Sequence, residues 1–175
     1  MSSLGSWIEG GDVRDHPEIL RILRLQDGGL IEIYIDDVGV YEWRSVITEL
    51  AKVSSSVAYR IDDVESIFHG VESQMFDPGE FGRHAIVFRI GQQTWTTGLF
   101  SPTEVDLQGD PREVQDEDGV VAVVALMTRL REITGRTVCL YAEGGHDMVR
   151  SDPIWCTPET LRVLQANQDT ERGHP

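Results

Sequence analysis

Apolar residues between positions 119 and 134 fall at three- and four-residue spacing: Val120, Val123, Val124, Met127, Leu130 and Ile133. That spacing puts them on one face of a helix. Asp118 stands before the run as a candidate N-cap, and Arg129 and Arg131 lie near its end, where the helix dipole favours cations. Gly135 breaks the pattern. Residues 137–142, TVCLYA, are apolar with almost no alternation, which predicts a strand buried on both faces. This helix and strand are expected to form the centre of the core.

The rest of the chain reads around them. Ile19, Leu20, Ile22, Leu23 and Leu25 follow Asp15 and Pro17, which suits a capped helix from His16 onward; a strand turning at Asp27-Gly28-Gly29 is the rival reading. LIEIYI (30–35) is a strand, and Val40, Trp43, Val46, Ile47, Leu50 and Val53 repeat at helical spacing over 39–53. A second strand covers 57–61. Strand, helix and strand at this spacing predict a βαβ unit with parallel strands.

Ile67, Phe68, Val71 and Met75 suggest a short helix over 64–75. Residues 83–90 and 93–100 predict a hairpin about Gly91-Gln92, and Val105 and Leu107 a further short strand. A last helix is expected from Thr157-Pro158-Glu159 to about Gln165. The whole predicts an α/β or α+β single domain over 16–166, with a loose lead-in at 1–15 and a frayed tail at 167–175. Its sheet is mixed, with about five or six strands, and it carries four or five helices.

Composition adds two constraints. No apolar run approaches the ~18–20 residues of a membrane span, and the N-terminal residues have neither a basic nor an apolar signal region. Cys139 falls in the predicted buried strand and Cys156 in a loop, so both are expected as inert thiols in a reducing compartment, with a cytoplasmic location.

Charge changes the picture more. The net charge is −15, and two segments hold all of it. Residues 27–80 carry 12 acids against Arg44, Lys52 and Arg60, a balance of −9; residues 104–118 carry 7 acids against Arg112, a balance of −6. A chain so acidic lacks the basic surface that phosphate binding needs, so nucleic acid is not an expected partner, and neither is a membrane.

Candidate chemistry is sparse. The tetrapeptide IDDV occurs at 35–38 and 61–64, and Asp36-Asp37 and Asp62-Asp63 therefore stand at strand ends, where carboxylates can hold a divalent cation or cap the following helix. Capping is the plainer reading. Glu143, His146 and Asp147 could serve as base or ligands, or form a glycine-rich surface loop. His69 and His84 have no metal-ligand spacing, and no phosphate-binding, dinucleotide or nucleophile-elbow motif occurs. No cofactor or metal is expected. Trp43 belongs to a core face; Trp95 lies among polar residues in QTWTTG, where ordinary sheet packing is the plainer reading and a half-exposed anchor for a partner the other.

The charge map favours a stoichiometric binder of a basic protein, of the immunity or inhibitor type, for example against a nuclease toxin. In general character only, an acidic domain with a βαβ start resembles bacterial toxin-neutralising immunity proteins; no motif carries a residue across. The expected partner-binding residues are Glu104, Asp106, Asp110, Glu113, Asp116, Glu117 and Asp118, with Asp36, Asp37, Asp62, Asp63 and Trp95. A small metal-dependent hydrolase using the strand-end carboxylates and His146, or a regulatory or structural subunit of a larger bacterial assembly, are the alternatives.

Overall fold

Ile31, Ile33 and Ile35 point to one side of β1 (Ile31–Ile35) and are completely enclosed, while Glu32 and Tyr34 point to the other. The same period of two runs through the neighbouring strands and sets the architecture. The computed structural model describes residues 16–24, 29–77, 79, 82–143 and 153–157. Within them β2 (Ser56–Ile61), β3 (Val64–Ser66), β4 (His84–Ile90), β5 (Gln93–Gly98), β6 (Val105–Gly109), β7 (Val138–Ala142) and β8 (Trp155–Cys156) join β1 in one eight-stranded sheet. Its order is β3-β2-β4-β5-β6-β1-β7-β8, and every pairing is antiparallel.

Three helices among the described residues, α1 (His16–Arg24), α2 (Val40–Val53) and α3 (Glu117–Thr134), pack on one face of this sheet. The core between the layers holds Trp43, Leu50, Phe88, Trp95, Leu107, Met127 and Leu130. The domain is α+β. No helix among the described residues is long and apolar enough to cross a membrane.

Several expectations are met. α1 is a helix, with Ile19, Leu20 and Leu23 buried. α2 presents Trp43, Val46, Ile47 and Leu50 to the core, and the β4–β5 hairpin turns at Gly91, whose φ of 60° lies where glycine is favoured. α3 ends at Gly135, which is left-handed with φ 68° and donates its N–H to the Arg131 carbonyl.

Other expectations are corrected. β1 and β2 do run in the same direction, since four antiparallel pairings separate them, but they are not neighbours: β6, β5 and β4 lie between. α2 therefore carries the chain across three strands, and the sheet is antiparallel with eight strands, where a mixed sheet of five or six was expected. Val64–Ser66 is a strand, not the start of a helix. Asp62 and Asp63 have φ of 48° and 65°, the backbone of a two-residue type I′ hairpin, and they fold β3 back on β2. The apolar residues that suggested a helix continue into a loop and a 3₁₀ turn, Ser73–Phe76.

α3 begins one turn-fraction earlier than expected. Asp116, not Asp118, is its cap, accepting from the Gly119 N–H at 2.8 Å. β7 is buried on its helix side only, at Val138 and Leu140, while Cys139 and Tyr141 are half-exposed. The two cysteines are not thiols. Cys139 and Cys156 stand directly opposite across β7 and β8, with Cα atoms 4.1 Å apart, and form a disulfide. Disulfides persist in oxidising surroundings, so cysteine usage gives no support to a reducing compartment. Thr157 is buried and pairs with Val138, its hydroxyl accepting from the Val138 N–H; the helix expected to follow it, His146 and Asp147 lie outside the described residues.

Candidate functional site

The sheet face opposite the helices carries Ala58 and Arg60 of β2, Val87 and Arg89 of β4, Thr94 and Thr96 of β5, Asp106 and Gln108 of β6, Glu32 and Tyr34 of β1, and Tyr141 of β7. Most of them are half-exposed. Near the middle of this face lies a groove of about 310 Å³, lined by Glu32, Tyr34, Gly98, Phe100, Ser101, Glu104, Asp106 and Gln108.

Each wall has a local cause. Period-two alternation in β1 and β6 sends Glu32, Tyr34, Asp106 and Gln108 away from the core, and the antiparallel register sets Glu32 opposite Gln108 and Tyr34 opposite Asp106. The Gln108 amide donates to Asp106 Oδ2 at 3.1 Å and to Glu32 Oε1 at 3.4 Å. Phe100, 67% exposed, lies over Gly98 so closely that a Cβ there would come within 2.1 Å of its ring. A glycine is needed at 98 for the ring to rest on the sheet. Tyr34 meets Tyr141 edge-on, with ring centroids 6.4 Å apart. Among the described residues lining the groove, three are carboxylates and none is cationic.

Two of the expected partner-binding residues, Glu104 and Asp106, therefore meet in this groove. The others do not join them. Asp110 caps a 3₁₀ turn, Pro111–Glu113, and is held by Arg112, whose Nη2 donates at 2.6 Å and keeps the Asp110 carboxyl below its ordinary range. Glu113 is turned inward and accepts from the Thr94 N–H, standing in where β6 has ended beside β5. Asp116 caps α3; Glu117 and Asp118 are exposed in its first turn.

Asp37, with φ 55°, donates its N–H to Asp36 Oδ1, and α2 is capped at Gly39, whose N–H meets Glu42 Oε2 at 3.0 Å. Asp62 Oδ1 accepts from the Arg83 N–H. The Asp pairs thus shape turns, and neither caps a helix directly.

The register also separates the two acidic segments. Ile35 pairs with Val105 and Ile31 with Gly109, so Asp36, Asp37 and Glu104 stand at one end of the sheet and Asp110 to Asp118 at the other. They do not form one face.

Trp95 requires a correction. It is 1% exposed, because alternation in β5 sends Gln93, Trp95 and Thr97 to the helix side and leaves Thr94 and Thr96 outside. Its Nε1 donates to Gln93 Oε1, and the Gln93 amide donates to the Gly119 carbonyl. Trp95 is a core residue and offers no surface to a partner. The aromatic residues on the groove are Tyr34 and Phe100, which the sequence reading passed over. The alternation of LIEIYI already put Glu32 and Tyr34 together on the non-core face; the position of Phe100 above Gly98 had no comparable signal.

Among the described residues no group of three or more His, Cys, Asp or Glu is arranged to hold a metal. The carboxylate of Glu143 accepts from the Leu30 N–H at 2.9 Å, which joins the end of β7 to the start of β1. No protein-family model matches the chain, and no curated protein or solved structure matches it either.

Proposed function

We propose that this chain is an acidic binding protein that forms a stoichiometric complex with a basic protein partner, in the manner of an immunity or inhibitor protein, and that it seats an arginine of that partner in the groove on the open sheet face. The observation that supports this is the grouping of Glu32, Glu104 and Asp106 beside the Tyr34 and Phe100 rings. A guanidinium suits such a lining in two ways. Its planar fork matches carboxylate oxygens, and its face stacks on an aromatic ring. The net charge of −15 would speed encounter with a basic surface, while the groove would fix its orientation.

Titration of the ¹⁵N-labelled chain with a nona-arginine peptide tests the reading. Amide shifts should concentrate at Tyr34, Phe100 and Gln108 and weaken with added salt. Shifts spread evenly over all exposed acids, or centred on Glu117 and Asp118, would remove the groove as the binding site.

A further inference from the structure

The antiparallel register lines up four side chains of the open sheet face in one row. Asp106 of β6 stands opposite Tyr34 of β1, Tyr34 opposite Cys139 of β7, and Cys139 opposite Cys156 of β8. Asp106 and Tyr34 are walls of the acidic groove, and Cys139 and Cys156 form the disulfide. The bond and the groove are therefore neighbours, with Tyr34 between them. Tyr141, two residues beyond Cys139 on β7, meets the Tyr34 ring edge-on.

A disulfide in this place is open to exchange. Both cysteines are half-exposed, and among the described strands β8 is the last of the sheet. Exposed disulfides are the labile ones. A thiolate displaces sulfur in line, so attack on Cys156 comes from the outer edge and expels Cys139, whereas attack on Cys139 would come from the side of Tyr34. With a dithiol as reductant, the first thiolate forms a mixed disulfide with Cys156, and Cys139 leaves as a thiolate that takes up a proton. The second thiol of the reductant then closes its own disulfide and releases Cys156 as a thiol. Two electrons and both protons pass from the reductant to the cysteines.

Opening the bond crowds this row. Two thiols cannot stand as close as two bonded sulfurs, and the Cα atoms of the pair are 4.1 Å apart. β8 is held to β7 on both sides of Cys156. The Ile154 N–H donates to the Leu140 carbonyl, the Thr157 N–H to the Val138 carbonyl, and the Thr157 hydroxyl accepts from the Val138 N–H. The edge strand therefore keeps its place when the sulfurs part.

We propose that the Cys139–Cys156 disulfide is a redox switch for the acidic groove: reduction by a dithiol turns the Cys139 thiol against Tyr34, moves that ring and weakens the hold on a cationic side chain. The switch rests on the reading of the groove as a binding site. In the bonded form Cys139 is drawn toward β8, and Tyr34 stands braced by Tyr141 beside Asp106.

Nona-arginine titrated into the full chain, with the bond intact and after reduction by dithiothreitol, reads the effect. The reduced chain should bind more weakly by about fivefold or more. The Tyr34 and Tyr141 ring resonances should shift on reduction before any peptide is added. Cys139→Ser with Cys156→Ser should bind like the reduced chain. In Tyr34→Ala the two redox forms should bind alike, because the coupling passes through that ring. Coupling is reciprocal, so saturating peptide should lower the equilibrium constant for reduction of the wild-type chain by the same factor. Equal affinity of oxidised and reduced wild type, or a loss that persists in Tyr34→Ala, would overturn the switch and leave the groove standing. An oxidised chain that binds no peptide at the groove would remove the groove reading and the switch with it. A reduced chain whose β1–β6 amides lose their protection would make the bond a structural staple alone, and the switch would fall.

Discussion

The Trp95 indole lies over Gly109, its partner across β5 and β6, so closely that a Cβ at position 109 would stand 2.8 Å from Cζ3 of the ring. The largest side chain of the central sheet is thus enclosed because the strand beside it has none at that point. Gly109→Ala should displace the indole and cost about 1–3 kcal/mol, the usual penalty of overpacking a filled core. Chemical denaturation followed by tryptophan fluorescence measures it. An unchanged midpoint with an unchanged emission maximum would show that the ring has room to move.

How much of this was legible in the sequence varies with the range of the interactions. α2 and the β4–β5 hairpin depend on neighbours within a turn or a strand, and their periods are visible in the residues themselves. β3 was missed because Val64, Ile67, Phe68, Val71 and Met75 imitate a helical stripe, while the turn that makes it a strand rests on two aspartates at positive φ. Side chains rarely adopt that backbone, so nothing in the composition announces it. The disulfide and the groove are of a third kind. Cys139 meets Cys156, and Glu32 meets Gln108, only through strand pairings distant along the chain. Glu104 and Asp106 share one run of charge in the sequence with acids that the register sends to the far end of the sheet.

β8 has only two residues, and among its contacts the Cys139–Cys156 bond fastens it to β7. The bond closes a loop with a sequence separation of 17, for which chain entropy gives a stabilisation of about 3 kcal/mol. Replacing both cysteines by serine should lower stability by about that amount. Amide exchange should rise at Cys139, Leu140 and Trp155, while the β1–β6 pairing stays protected. Dithiothreitol acting on the wild-type chain should reproduce the loss. Equal stability with and without reductant would leave the pair without a structural role.

Glu49 links the helix layer. Its carboxylate accepts from Lys52 Nζ at 2.5 Å within α2 and from Arg129 Nη2 at 3.1 Å on α3, and Arg129 also holds Glu132. These hydrogen bonds, the one from Lys52 first, keep the carboxyl below its ordinary value of 4.5. A carboxyl with a lowered folded pKa adds stability above its unfolded value, and that stability fades as pH falls through the folded one. Glu49→Gln should therefore be less stable than wild type at neutral pH, by about 1 kcal/mol or less because Lys52 is exposed and Arg129 half-exposed to screening solvent. The gap should close on acidification below 4.5. Thermal melts of both proteins between neutral and strongly acid pH decide it; a gap of constant size would assign Glu49 a packing role alone.

The groove and the start of α3 supply a matched pair of variants. Glu104→Gln with Asp106→Asn removes two charges from the groove, and Glu117→Gln with Asp118→Asn removes two from the opposite end of the sheet. Net charge rises equally in both, so long-range attraction of a basic partner changes by the same amount. Only the first pair takes acceptors from beside Tyr34 and Phe100, where a guanidinium would be held by short charge-assisted bonds. With nona-arginine as the probe, both variants should associate more slowly at low salt, and that difference should shrink as salt is added. The groove variant alone should also dissociate faster, weakening affinity by about tenfold in a way that salt does not erase. Equal losses in the two variants would reduce the effect to net charge. A larger loss at Glu117 and Asp118 would move the binding surface to the acidic segment before α3.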